Sequence, residues 1–314
     1  MADITASYKQ DENQKGMESL KESGEGINIL KNRKTILMSV AESGDYKTVD
    51  LLLQDGFNIK DVDDNGKNAL MYASINGRNA TVEVLLKWGS DVNAVDKSGK
   101  NALMYASING HYTTAEVLIK NGINANTVDG QKINALIYAT QAGHDKTVEI
   151  LIKLGCNVNA ADAHGKKALM WASELGNLTI VEHLIKSGSN VKSLDQNGKS
   201  ALMWASENGH EKIVKLLILS GGDVTAFDNN RTTALMWASK NGHDKVVDVL
   251  IKGGSNVKAV DAFEKTALTY ASQGGHYTTV KVLIKGGSDV KGVNRKGKNS
   301  LMYASQGGHE KTKR

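Results

Sequence analysis

The stretch Asp63-Asp64-Asn65-Gly66-Lys67-Asn68-Ala69-Leu70-Met71-Tyr72-Ala73-Ser74-Ile75-Asn76-Gly77 decides the fold. Its first five residues are turn chemistry: short acidic and amide side chains that bond nearby backbone, then a glycine free to take positive φ. Asn68 is a helix N-cap, and Ala69 to Ser74 reads as a short helix that Gly77 ends in the left-handed conformation. Further on, Thr81-Val82-Glu83-Val84-Leu85-Leu86-Lys87 carries apolar residues at Val82, Leu85 and Leu86, the spacing of one helix face. Lys87 sits where a cation suits the helix dipole, and Gly89 stops the helix. Ser90 to Val95 then returns the chain to the next turn.

The unit recurs. Glycine repeats in steps of 33 residues from Gly44 to Gly308, leucine keeps the same step from Leu37 to Leu301, and a second glycine series runs from Gly56 to Gly287. Two short capped helices cannot bury their apolar faces alone, whereas stacked neighbours can, so the period predicts a repeat array.

On these residues the chain resembles the ankyrin-repeat family. The resemblance rests on the period, the turn, the two helices, the paired glycines and the motif Asn68 to Gly77. That motif is echoed by Thr233-Ala234-Leu235-Met236-Trp237-Ala238-Ser239-Lys240-Asn241-Gly242-His243. It implies an all-α ankyrin-repeat solenoid: 33-residue turn–helix–helix units in a right-curved stack, with turns and first helices forming a concave face. The expected organisation is a polar, disordered N-terminus at 1–12 and a degenerate half-repeat or N-cap at 13–29. Eight repeats follow over 30–293, with a partial ninth at 294–314. The family's Thr-Pro-Leu-His becomes Asn/Thr-Ala-Leu-Met here, a variant that resembles protist ankyrin arrays. Methionine cannot make the histidine's hydrogen bond, so apolar packing is expected to carry more of the cohesion between repeats. Lys167 stands where its neighbours have a capping Asn, Ser or Thr, which predicts a weak point in the fifth unit. At the other end, Leu301 and the face of Val282, Leu283 and Ile284 are expected to be partly uncovered.

Composition narrows the function classes. The 314 residues contain no proline and one cysteine, which exclude PxxP ligands, disulfide frameworks and multi-cysteine metal sites. The lone cysteine points to a reducing compartment, the cytoplasm, with the nucleus also used by the family. No apolar run approaches the ~18 residues of a membrane span. A net charge of +5 permits a nucleic-acid partner, but Asp63, Asp96, Asp162 and Asp195 lie among the lysines and dilute any basic groove. His111, His144, His210, His243, His276 and His309 occupy one phase of the repeat and are read as structural, because equivalent side chains one helix-packing distance apart cannot share a metal. Cys156 fills a small-residue position. The Gly-Lys pairs end surface turns and lack the P-loop context, and no kinase, zinc-protease or nucleophile-elbow motif occurs. No catalytic residue, cofactor, metal or small-molecule substrate is expected.

The expected activity is therefore non-catalytic: a protein–protein interaction scaffold or adaptor that binds a partner protein through the concave face and turn tips. The alternative is the targeting or regulatory part of a longer enzyme, such as a kinase or ligase, whose catalytic domain is absent from this chain. In the family, residues just before the first-helix cap project from the turn tips. Here the column is Lys34, Lys67, Lys100, Ile133, Lys166, Lys199, Thr232, Lys265 and Lys298, and its lysines are expected to form a ridge that steers an acidic segment of the partner. On that reading, reversing the charge of Lys166 and Lys199 leaves stability unchanged. His164, Asn197, Asn230, Phe263, Glu174 and Glu207 share the face and vary between repeats. Trp171, Trp204 and Trp237 belong to an aromatic column that is either filler between helices or an aromatic floor for the partner.

Overall fold

The structure, a computed structural model, describes residues 34–294 and 296–313. The segments expected at 1–12 and 13–29 lie outside the described residues. The chain divides into two compact units, residues 1–130 and 131–314.

In the first unit the described helices are α1 (Ile36–Ser43), α2 (Tyr46–Gln54), α3 (Ala69–Ile75), α4 (Asn79–Lys87), α5 (Ala102–Ile108) and α6 (Tyr112–Lys120). In the second they are α7 (Ala135–Gln141), α8 (Asp145–Lys153), α9 (Ala168–Leu175), α10 (Leu178–Lys186), α11 (Ala201–Glu207), α12 (Glu211–Leu219), α13 (Ala234–Lys240), α14 (Asp244–Lys252), α15 (Ala267–Gln273), α16 (Tyr277–Lys285), α17 (Ser300–Gln306) and α18 (Glu310–Lys313). Within each unit, odd-numbered first helices stack on one another, and each even-numbered second helix packs on its own first helix and on its neighbours. The all-α stack of helix pairs is as expected. Among the described residues the only β features are isolated bridges at the bases of turns, such as Leu194 with Ser200.

Seven-residue helices are marginal alone, so packing and caps must hold them. The first helices bury almost everything: Ala201, Leu202, Met203, Ala205 and Ser206 of α11 are all buried. The second helices bury one stripe, as with Ile213, Val214 and Leu217 of α12. The methionines at the departure from the family motif, Met71, Met104, Met170, Met203 and Met236, are at most 1% exposed, so apolar packing does occupy that position.

Polar cohesion nonetheless survives by another route. His210 Nε2 lies 2.9 Å from the carbonyl oxygen of Glu174, at the end of the preceding first helix. His243 does the same with Glu207, and His276 with Lys240. These contacts satisfy helix C-terminal carbonyls that have no partner within the helix. Gly176, Gly209 and Gly242, which follow these first helices, make room for the rings. Gly176 has φ +80°, and a Cβ there would stand 2.5 Å from the His210 imidazole. The histidine series is thus structural and ties one repeat to the next.

The caps form as the sequence requires. Asn68 Oδ1 accepts from the Met71 N–H at 2.9 Å, and Thr233 Oγ1 from Met236 at 3.3 Å. Lys167 makes no side-chain cap; its ammonium donates instead to Ser193 Oγ at 2.8 Å. Lys167→Thr should therefore stabilise α9 by roughly 1 kcal/mol, net of that lost contact. Amide exchange in α9 should slow about fivefold, and unchanged exchange would refute the assignment of a missing cap.

The far end is partly uncovered, as expected: Leu301 and Met302 of α17 and Ile284 of α16 are about half exposed and Val282 is half-buried. Leu283 alone of that face is fully buried, because α16 packs against α18 as well as against α14 and α15.

Candidate functional site

Most of the turns are built around a leading carboxylate. Asp195 Oδ1 accepts the N–H groups of Asn197 and Lys199 at 2.8 and 2.9 Å, and its Oδ2 accepts the indole N–H of Trp204 at 3.0 Å. Asp162 holds Trp171, Asp228 holds Trp237 and Asp261 holds Tyr270 in the same way. For Asp96, burial would push the carboxyl up. Hydrogen bonds from Tyr105, Ser98 and the Lys100 N–H outweigh it and hold the group below the usual carboxylate range. These aspartates are internal braces rather than surface charge diluting a groove. Successive turns are also stitched together: the carbonyl oxygens of His164, Asn197 and Asn230 accept N–H groups of Gln196, Asn229 and Ala262 at 2.9 to 3.0 Å. The side chains of His164, Asn197, Asn230 and Phe263 are left exposed at the tips.

The lysine column is not the solvated ridge expected. Lys166 and Lys199 are only 6% and 7% exposed. Lys166 Nζ lies 3.8 Å from the ring centroid of Trp171 and 3.7 Å from that of Trp204. Lys199 Nζ lies 4.1 Å from Trp204 and 3.6 Å from Trp237. Each ammonium is therefore sandwiched between the tryptophan of its own repeat and that of the next, in a cation–π ladder. Glu174 closes on Lys166, and Glu207 on Lys199 at 2.6 Å. Burial pushes the Lys166 ammonium below its usual value, against the pull of Glu174, Asp195 and Asp162. These two lysines stabilise the stack, and their charge is spent internally.

The other lysines differ. Lys67 is half-buried over Tyr105 at 5.0 Å. Lys100 is half-buried with Nζ 3.8 Å from Asp129. Lys265 is half-buried beside Tyr270 and Tyr303, and Lys298 is exposed. Trp171, Trp204 and Trp237 are half-buried, neither enclosed filler nor an open floor.

Sequence reasoning passed over one column. The residue just before most of the turn aspartates is apolar and open to solvent: Val62, Val95 and Val128 in the first unit, and Leu194, Phe227 and Val260 in the second, whereas Ala161 before Asp162 is half-buried. Val293 continues the series before Asn294. The signal was present, since an apolar residue holds this phase throughout the array while the turn around it is polar.

Cys156 is buried, and burial pushes its thiol up to about 12, far from a reactive thiolate. Among the described residues, no group of three or more His, Cys, Asp or Glu side chains is placed to hold a metal ion. Among them, too, no helix is long and apolar enough to cross a membrane.

The family model for ankyrin repeats, described as three copies, matches residues 5–96, 37–129, 89–162, 169–261 and 235–313. No curated protein matches the chain at a significant level. Family matches along nearly the whole sequence, on a stack of glycine-capped helix pairs, show that the chain belongs to the ankyrin-repeat family.

Proposed function

We propose that the chain is a non-catalytic binding module that holds a partner protein on the surface shared by its turns and first helices. Ankyrin repeats are generally protein–protein interaction modules. The observation that carries the reading is the exposed apolar column. Leu194 and Phe227 are 50% and 57% exposed. Single exposed apolar residues are ordinary, but a recurring series at one phase of a repeat supports a contact surface. Phe227 and Phe263 supply aromatic anchors, and His164, Asn197 and Asn230 a polar rim.

Affinity capture from the native cell, with wild type and a Leu194→Ser/Phe227→Ser variant side by side, tests this. The protein retained by wild type is identified and its direct affinity for both measured by calorimetry. The variant should keep the wild-type melting temperature and bind at least about tenfold more weakly, as loss of a central aromatic contact requires. Equal affinity would move the contact surface elsewhere.

A further inference from the structure

The ladder of rings and ammonium groups changes character near Lys265. At the two upstream rungs, tryptophans flank each lysine closely and a glutamate neutralises it. At Lys265 the flanking rings are Tyr270 and Tyr303, with centroids 5.2 and 5.6 Å from Nζ. The residue in the glutamate's place is Gln273, whose Oε1 accepts from Lys265 at 3.0 Å. The smaller rings leave a cavity of about 790 Å³, which Lys240 and Lys296 also line. Among the described residues, none of these three lysines has a carboxylate within ion-pair distance. Three lysines thus line one cavity, with Glu264 the one acidic residue among those that line it.

We infer that this cavity is a docking site for an acidic side chain, aspartate or glutamate, carried on a segment of the partner protein. The inference rests on the binding-module reading and names the chemistry of its partner. Unlike Lys166 and Lys199, Lys265 has no carboxylate to neutralise it, and it is here that further lysines gather around a cavity, which is where the expected attraction for an acidic segment survives. The tyrosine hydroxyls are already engaged, Tyr270 donating to Asp261 and Tyr303 accepting from the Asn294 amide. The walls therefore offer ring faces and cations, and Phe263, 68% exposed, adds an apolar lip. That combination fits a carboxylate on a short aliphatic stem. A nucleic acid is less well matched, because its backbone needs a continuous basic track and the ladder upstream is neutralised.

The decisive variant is Gln273→Glu, which copies the arrangement of Lys166 with Glu174 and Lys199 with Glu207 and so preserves the fold. A Lys240→Gln/Lys265→Gln variant removes two of the three cations instead. The probes are a fluorescein-labelled peptide of alternating glutamate and alanine, its glutamine counterpart, and a single-stranded oligothymidine, titrated by anisotropy at low ionic strength. Wild type should prefer the glutamate peptide by about tenfold, and both variants should lose that preference while keeping the wild-type melting temperature. No preference in wild type, or a preference unchanged in both variants, overturns the proposal. Oligothymidine binding tighter than the acidic peptide, and lost in the same variants, overturns it in favour of nucleic acid. Failure here leaves the binding-module reading intact, since that stands on the Leu194/Phe227 comparison with the natural partner. Failure of that comparison leaves this peptide measurement unaffected.

Discussion

Lys166→Glu should destabilise the second unit by about 3–5 kcal/mol, the range for breaking a buried charge pair. An exposed lysine on a turn tip would give almost nothing, so the expected result separates the two descriptions of this residue. The native ammonium sits between the faces of Trp171 and Trp204 and is closed by Glu174. Aromatic faces carry negative potential, so a carboxylate placed between them is repelled by both rings. It would also face Glu174, a like charge in a poorly solvated site. Lys166→Gln should cost less, because Glu174 keeps a quarter of its side-chain surface in water and can rehydrate. Pairing Lys166→Met with Glu174→Gln should recover much of the loss, since replacing both members of a buried pair is often close to neutral. Denaturant midpoints, with amide exchange in α9 and α11, report the effect. A Lys166→Glu protein within about 0.5 kcal/mol of wild type would show that the lysine is solvated after all.

The contrast between Lys166 and the caps shows which features a single sequence makes readable. Asn68, Gly77 and Gly176 act on backbone within a few residues of themselves, so their roles follow from local spacing. The histidine series was legible for a different reason: identical residues one repeat apart cannot share a metal, whatever they touch. The surroundings of Lys166 are non-local. They comprise Trp171 and Glu174 from the same repeat and Trp204 from the next, and only stacking brings all three together. A lysine followed at fixed offsets by a tryptophan and a glutamate, twice in succession, was the available signal. It went unread because lysine is treated as surface by default. The exposure of Leu194 and Phe227 is likewise non-local, since an apolar residue beside a turn can be buried or open depending on how the repeats stack.

The turn aspartates give the second large effect, and it should depend on the ring each one holds. Asp195→Ala removes the acceptor for Asn197 N–H, Lys199 N–H and the Trp204 indole, and should cost about 3–4 kcal/mol as charge-assisted bonds are lost together. Asparagine is the sharper probe. It keeps the oxygen that receives the two backbone N–H groups but replaces the second oxygen with an NH₂ group. The Trp204 indole can only donate, so in Asp195→Asn two donors face each other and neither is satisfied. The expected cost is about 2–3 kcal/mol. A tyrosine hydroxyl can donate or accept, and the chain already uses that freedom. Asn294 accepts from the Lys296 and Lys298 N–H groups and donates its amide to the Tyr303 hydroxyl at 3.1 Å. Asp261→Asn should therefore reverse the bond to Tyr270 and cost only about 1 kcal/mol, the difference between a charged and a neutral acceptor. It should also let Tyr270 ionise more readily. Burial first, and then the bond to and charge of Asp261, hold that phenol above its usual value, and the substitution removes the latter contribution. Denaturant midpoints of the two asparagine variants, with an ultraviolet titration of Tyr270 in the second, make the comparison. Equal losses at the two positions would mean that the rings contribute no hydrogen bond of consequence, and that the turns are held by the backbone N–H groups alone.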